Sequence, residues 1–476
     1  MKSVYDVIII GGGITGTAIA RELSRYRLRL AILEKESEVS FGVSKSNSGI
    51  IHPGTQHHPA LLKSKLCVLG NKLTRVLARE LSIDFKEVGE LIVGFNEEDY
   101  KRLLRLKEDA DALGVPGLKI VDRRWLRKNE PNLSVEALYA LYAPTAGIIS
   151  PYRMVYDLAE NASANGVEIY TETKVESIIA QGKVFEVVSP DRVFHSRFIV
   201  NCAGLYADEV ARMAGAGNFK ITPRKGEEFL LDKKKENLTR HLLFPLPSKI
   251  SKGILVTRTS DGNPMIGPTS EDMEDKNDLT TTAEGLRKVL EGAKKLVPSI
   301  DENDIIAYFA GQRPVSGDDF TIRHEDGVRG FVNVAGIQSP GLTAASAIAL
   351  MVAGILKNTG LRLKKKYFFR RHRKKEFHIF SAGLKKTKRS VKKDPSYGDI
   401  VCRCELVSAK EVREAIKRGA RTMDGVKFMT RAQAGRCHGS FCTTRIMKIL
   451  AEETNRDVVS VTKRGKGSEL VKDKRR

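Results

Sequence analysis

Residues 7–34, VIIIGGGITGTAIARELSRYRLRLAILE, constrain this chain more than any other stretch. An apolar run from Val7 to Ile10 meets Gly11, Gly12, Gly13 and Gly16. A helical pattern follows with Ala18, Ile19 and Leu23, and then a second apolar run, Leu30 to Leu33, closed by Glu34. The order is strand, tight turn, helix, strand. Gly11 lets the strand turn sharply, Gly13 lets the backbone approach a pyrophosphate, and Gly16 lets the helix pack closely on the sheet. The pyrophosphate would rest on the positive end of the helix, at Ile14 and Thr15. Glu34, with Lys35 beside it, would face the adenosine ribose. A lone G-x-G-x-x-G is weak, but here strand, helix, second strand and terminal acid all stand in register. The expected ligand is therefore a dinucleotide. The motif's place near the N-terminus and the later segments favour FAD over NAD.

A polar loop with Ser44, Asn47, Ser48 and Gly49 leads into SGIIHPGTQHH. Its small residues, continuing to Ile51, would allow close approach to a flat ring. His52 is expected near the reacting carbon, because histidine titrates near neutral pH as a group taking an alcohol proton should. The plainer alternative is a structural histidine in a turn. His57 and His58 read as exposed loop residues.

Helical spacing recurs over residues 60–81 and 97–113, with two short strands between 85 and 95. Pro151 opens a helix to Ala164, and residues 167–171, 174–179 and 184–188 read as strands, with Val175 on the nucleotide side. A buried strand, 198–201, ends in Cys202, Ala203 and Gly204, small residues expected beside the first nucleotide strand near the adenine. Cys202 reads as a small core residue rather than a reactive thiol. Residues 221–268 are β-rich with turn signals and read as the floor of a substrate cavity. A helix over 284–296 precedes the strand 305–314, where Arg313 could clamp a carboxylate or phosphate in two-pronged fashion. Arg258 is the second candidate clamp. For both, a structural surface arginine is the alternative. The strand 331–335 leads into a turn with Gly336, Gln338, Ser339, Pro340 and Gly341. The helix it delivers begins at Leu342 and Thr343, and its free first-turn N–H groups suit the electron-rich edge of a reduced flavin.

At 476 residues, 41% hydrophobic and 29% charged, the chain is expected to be globular with two or three domains. The net charge of +23, from 81 basic and 58 acidic residues, is concentrated late in the chain. No nucleic-acid-binding motif accompanies it. The balance therefore points to an anionic substrate plus a solvated basic linker over 361–398, with an anionic membrane or acidic surface as the minor alternative. No signal peptide is read. No stretch is expected to span a bilayer, residues 342–356 being the best candidate. The expected location is cytoplasmic, with peripheral membrane contact as the variant.

Cys402-x-Cys404 and Cys437-x4-Cys442 form the second informative constellation. Four thiolates from two tight pairs suit a [2Fe-2S] cluster or a structural zinc, and spacing alone does not separate them. Ser408 and Glu411 give a capping-box signature for one helix between the pairs, and a second helix starts at Thr443. A cluster beside a flavin domain implies electron transfer.

With these residues in view, the first 360 resemble the D-amino-acid-oxidase superfamily of FAD enzymes. NSGIIHPG, GIISPYRM and GIQSPGLTA are similar to its L-2-hydroxyglutarate dehydrogenase branch. VCRCELVSAKEV and TRAQAGRCHGSFC resemble the bacterioferritin-associated-ferredoxin-like domain that carries [2Fe-2S]. The combination resembles the large subunit of anaerobic glycerol-3-phosphate dehydrogenases, except that Gly336, Ile337 and Gln338 stand where many of those enzymes have Gly-Gly-Lys.

The resemblance implies an α/β protein with three parts. A Rossmann-like FAD domain, about 1–80, 150–215 and 325–360, is interleaved with a β-rich substrate domain, about 81–149 and 216–324. A helical [2Fe-2S] domain over 399–460 and a charged tail over 461–476 follow. It implies oxidation of sn-glycerol 3-phosphate by hydride transfer to FAD, with His52, Arg313 and Arg258 at the substrate and Cys402, Cys404, Cys437 and Cys442 at the cluster. A partner is implied as well, an NAD-linked flavoprotein or a quinone-linked subunit. The alternatives are a 2-hydroxy-acid dehydrogenase, an amine or amino-acid dehydrogenase, and a non-catalytic electron-transfer subunit.

Overall fold

The computed structural model of the chain describes residues 4–247 and 253–471. Its first layer is a parallel sheet built on the strand Val4–Ile10, which is flanked in parallel by Leu30–Leu33 and Arg192–Asn201. Val167–Tyr170 extends the sheet on one side and Phe331–Ala335 on the other, both also parallel. Residues 7–10, 30–33 and 198–200 of these strands are apolar on both faces, as parallel strands covered on both sides must be, whereas the edge strand Val167–Tyr170 carries Glu168. The strand Arg192–Asn201 is longer than its apolar core suggests, because it changes partner along its length. Its first half pairs antiparallel with Val184–Ser189 and its last residues pair parallel with Phe331–Ala335.

Four helices cover one face: Ile14–Leu23, Leu62–Leu81, Pro151–Ala164 and Gly341–Asn358. The last of these corrects the expectation that nothing here could span a bilayer, since its length and apolarity suffice for a membrane crossing. In the fold it is the central core helix, with Ala344, Ala345, Ile348, Val352 and Leu356 buried against the fingerprint helix and its neighbours.

The second layer is a nine-stranded mixed sheet. Its longest pair is Thr222–Leu231 against Ile305–Val315, antiparallel with Gly226 opposite Gly311 and Arg224 opposite Arg313. Side chains alternate along a strand, so Arg224, Gly226 and Glu228 share one face with Gly311 and Arg313 of the partner. That face looks toward the nucleotide sheet.

Residues 361–398 run along the first layer. Tyr26 bridges Lys365, the Lys366 N–H donates to the Arg25 carbonyl, and the Arg373 N–H donates to the Glu80 carbonyl. The Arg373 guanidinium meets Asp157 at 3.1 Å and Glu160 at 2.8 Å, with Glu376 and Arg418 completing the group. The acids Asp157, Glu160 and Glu376 also stand close enough to hold a metal. Two guanidiniums already neutralise them, which makes the cluster a docking joint.

The C-terminal module packs the helices Ala409–Lys417, Met423–Thr430 and Thr443–Thr454 around Val412, Met423, Val426, Ile446 and Leu450. Ser408 and Glu411 form a reciprocal capping box at the first of them. The module is seated on both layers. The Arg431 guanidinium reaches Asp261 at 3.2 Å and Asn263 at 3.0 Å, Arg436 reaches Asp232 at 2.6 Å, and the Glu38 carboxylate receives two backbone N–H groups of the module.

Candidate active site and cluster site

A cavity of about 940 Å³ runs between the two layers, large for a ligand site and shaped by both of them. The glycine turn forms one end. Gly11 has φ +108°, and a Cβ there would come 2.4 Å from the Cys202 carbonyl oxygen. A Cβ at Gly16 would come 2.0 Å from the Gly11 carbonyl oxygen, so helix and strand touch only because that position is bare. Gly13 caps the helix without a side chain, and the Ile14 N–H is taken by the Ser44 hydroxyl at 2.9 Å. Glu34 is buried, and its carboxylate accepts the Gly12 N–H at 2.6 Å and the Glu36 N–H at 2.9 Å. Burial raises its pKa. The first duty of this acid is thus to brace the glycine turn from the end of the neighbouring strand.

Most of the residues singled out from the sequence line this one cavity. Gly11, Gly13, Ile14, Thr15, Glu34, Lys35, Ser44, Asn47, Ser48, Val175, Ala203 and Gly204 surround the nucleotide end. His52, Arg313, Gln338, Ser339, Pro340, Gly341 and Leu342 stand on the same wall system. Cys202 lines it too, its thiol pushed up to about 12 by burial, as an inert small residue requires.

Six residues do not line it. Gly16 lies behind the turn, in the helix–strand contact. Gly49, at φ +65°, packs against the Ile149 carbonyl, and Ile51 is a fully buried strand residue. Gly336 makes the turn at φ +66°. The Thr343 hydroxyl accepts the His52 N–H at 2.9 Å and so positions His52. Arg258 is the substantive correction. Its strand, Leu255–Arg258, presents Leu255 to the cavity, and three residues further on the alternation has turned the side chain to the other face.

His52 is held on several sides. Its carbonyl accepts from Asn71 at 2.9 Å, its ring packs on Phe244 with centroids 6.0 Å apart, and its Nε2 lies 3.4 Å from the Ser339 hydroxyl. Arg313 donates from Nη2 to the Thr269 carbonyl at 2.8 Å, and burial lowers its pKa. A Cβ at Gly226 would meet that Nη2 at 2.4 Å, so the bare position across the strand pair is what admits the guanidinium.

Several cavity residues escaped the sequence reading. Glu228 is buried, accepts the Ser48 hydroxyl at 2.8 Å and faces Arg313; burial pushes its carboxyl up to about 7, with the Ser48 bond and Arg313 opposing. Its signal was the alternation Arg224, Gly226, Glu228 on one face of a strand. Lys63 is buried at the start of a helix and donates to the Asp318 carbonyl. His57, read as exposed, is half-buried and lines the cavity, whereas His58 is exposed. Nothing local marks either Lys63 or His57.

The four late cysteines stand in two pairs. Cys404 and Cys437 have sulfurs 3.5 Å apart, and the Cys442 thiol donates a hydrogen bond to the Cys402 sulfur. The Cys442 thiol, with backbone N–H groups of Gln433, Glu405 and Cys404, holds Cys402 down to about 6. Backbone N–H groups of Gly439 and Phe441 point at the Cys437 sulfur. One zinc would draw all four sulfurs into a single tetrahedron. Two pairs ringed by N–H donors fit the two irons and electron-rich sulfurs of a [2Fe-2S] cluster.

A cavity with a glycine-turned helix N-terminus at one end and a histidine and arginine elsewhere on its wall is that of a dinucleotide-dependent oxidoreductase. The chain belongs to the FAD dependent oxidoreductase (DAO) family, whose model matches residues 6–355, and residues 400–452 match the BFD-like [2Fe-2S] binding domain. FAD and a [2Fe-2S] cluster are accordingly its cofactors. It is 41% identical over 471 residues to the glycerol 3-phosphate dehydrogenase of Caloramator mitchellensis, covering 98% of each chain. It is 30% identical to the mitochondrial L-2-hydroxyglutarate dehydrogenase of Nematostella vectensis, over 73% of this chain and 90% of that one. The dithionite-reduced, FAD-bound L-alpha-glycerophosphate oxidase of Mycoplasma pneumoniae superposes with a TM-score of 0.75 at 31% identity, covering 79% of this chain and all of the other.

Proposed function

We propose that the protein oxidises sn-glycerol 3-phosphate to dihydroxyacetone phosphate and passes the two electrons, one at a time, through its cluster to a partner. The observation that carries this reading is the match to a glycerol 3-phosphate dehydrogenase across 98% of both chains, cluster module included. The cavity supports it chemically. Arg313 has donors beyond the one given to Thr269, and a fork of N–H groups suits a phosphate dianion. Lys63 lines the same cavity, so cationic charge beyond Arg313 is supplied without the lysine that Gln338 replaces, whereas Arg224, also in the lining, forks onto Asp272 at 2.6 and 3.0 Å.

FAD, when bound, would rest on the glycine turn and on the helix that starts at Gly341, and would supply the hydride acceptor for the alcohol carbon. His52 takes the hydroxyl proton at Nε2, with Ser339 orienting the ring and Thr343 fixing the backbone. Phe244, packed against the ring with centroids 6.0 Å apart, holds the imidazole in place.

The electron acceptor is proposed to be a separate subunit, an NAD-linked flavoprotein or a quinone-linked one. Cys404 is exposed, and Phe441 beside Cys442 is 80% exposed, which leaves the cluster edge open to docking. A cytoplasmic location is proposed with it, with the basic linker as a peripheral contact to an anionic surface.

An anoxic titration tests the substrate. Glycerol 3-phosphate, L-2-hydroxyglutarate and proline are added separately to the purified protein while flavin absorbance is followed. Bleaching by glycerol 3-phosphate alone is the expected result. Bleaching by a hydroxy or amino acid alone moves the chain to that branch, and bleaching by none leaves an electron-transfer subunit.

A further inference from the structure

The segment after the last helix folds back. Thr462 bridges Glu469, the Lys463 N–H donates to the Ser468 carbonyl, and the Met423 and Asp424 N–H groups donate to the carbonyls of Thr462 and Lys463. This small loop sits on the nucleotide layer. The Ser37 hydroxyl donates to the Arg464 carbonyl at 2.6 Å, and Gly465, at φ +114°, lies against Ser37 and Glu172 so closely that a Cβ would come 2.8 Å from Ser37. Arg464 thereby lines the flavin cavity, although it belongs to the cluster module.

Lys45 stands at the same place. It follows Ser44, whose hydroxyl holds the first amide of the fingerprint helix, and its ammonium lies 4.9 Å over the Phe41 ring. Among the described residues no carboxylate comes within ion-pair distance of it. Burial, then the charge of Arg464, lower its pKa to about 8. Arg464 has one acid nearby, Asp424 at 3.8 Å, and remains about half exposed. Two cations thus face one cavity next to a helix N-terminus, and the acids Glu36, Asp424 and Glu34 act on Lys45 less than burial and Arg464 do. An anion between them would serve both.

We infer that Lys45 and Arg464 together bind a phosphate of the FAD pyrophosphate, so that the cluster module completes the flavin site and its docking governs flavin retention. Folding of the nucleotide layer brings Lys45, and seating of the module brings Arg464. FAD held by both cannot leave freely until the loop at 462–469 lifts.

The test is FAD affinity, read from quenching of flavin fluorescence on titrating apoprotein of the full chain, with the module's cluster absorbance as the check that it remains seated. Arg464→Ala is expected to weaken FAD binding about tenfold and to flatten its salt dependence, as loss of one charge-assisted phosphate contact should. Arg464→Lys should retain most of the affinity. Asp424→Ala decides between this and a purely structural arginine: with the one acid within ion-pair distance among the described residues removed, Arg464 should bind the phosphate as well or better. An Arg464→Ala protein within twofold of the parent overturns the inference, and so does an Asp424→Ala protein weakened as much as Arg464→Ala. FAD affinity is measured without substrate, so the result stands apart from which alcohol is oxidised.

Discussion

The carboxylate of Glu38 receives the backbone N–H groups of Arg421 at 2.7 Å and Thr422 at 2.9 Å, joining the loop after the second nucleotide strand to the far module. The Thr422 and Tyr156 hydroxyls complete its shell at 3.0 and 3.1 Å. Loss of the carboxylate would leave both backbone N–H groups and the Thr422 hydroxyl without their shared acceptor. Glu38→Ala should therefore cost about 2 kcal/mol or more of docking. The measurement is limited proteolysis within 361–398 together with thermal unfolding. Faster cutting and a separate low-temperature transition are expected, and an unchanged pattern would show that the joint is held elsewhere.

Arg313→Ala should cut kcat/KM on the order of a hundredfold, because a buried guanidinium that meets an anion leaves that charge unpaired when removed. Arg313→Lys should lose less, keeping the charge and lacking the fork. Steady-state assay with an artificial acceptor separates the two. Loss confined to KM would mark ground-state binding of the anion, and an Arg313→Ala enzyme with normal KM would remove it from the clamp.

Gly16→Ala should destabilise the fingerprint by about 1–3 kcal/mol, since its Cβ has nowhere to go but into the Gly11 carbonyl. Lower Tm and reduced FAD content are the expected readouts. A variant that retains both would mean that the helix can slide off the strand at no cost.

These residues also show what was legible in advance. The fingerprint, the core strands and the capping box at Ser408 were readable because each is fixed by neighbours a few positions away. Arg313 was readable because a strand leading into it was. Arg258 misled, because a cation at a strand end says nothing of which face it takes until the partner strand sets the alternation. Glu228 and Lys63 depended on a pairing of distant strands and on a helix start capped by Asp319. Arg464 lay in what read as a charged tail, and its role exists only once the module is seated.

Cys404→Ser and Cys442→Ser take one ligand from each pair. In variant protein that retains its FAD, flavin bleaching by substrate should be intact, because no cluster sulfur lines the cavity. Electron delivery to a one-electron acceptor should fall to background with the loss of cluster absorbance. Transfer that survives in a protein shown to lack iron would place the exit route at the flavin itself.

The pairing of Glu228 with Ser48 and Arg313 predicts a pH dependence with a definite sign. A carboxyl raised from 4.5 to about 7 binds its proton more tightly in the folded protein than in the unfolded chain. Its contribution to stability is therefore complete below about pH 4.5 and is lost as pH rises toward 7. The gap corresponds to about 3 kcal/mol for the ligand-free protein. Glu228→Gln should flatten the urea-unfolding stability of apoprotein between pH 5 and 7, where the parent loses stability. Because the carboxamide denies Arg313 the counter-charge that the ionised carboxylate supplies above about pH 7, the variant should also bind the anionic substrate at least as well at pH 7.5. A parent whose stability rises across that interval, in step with the variant, would mean that Glu228 stays ionised as the counter-ion of Arg313.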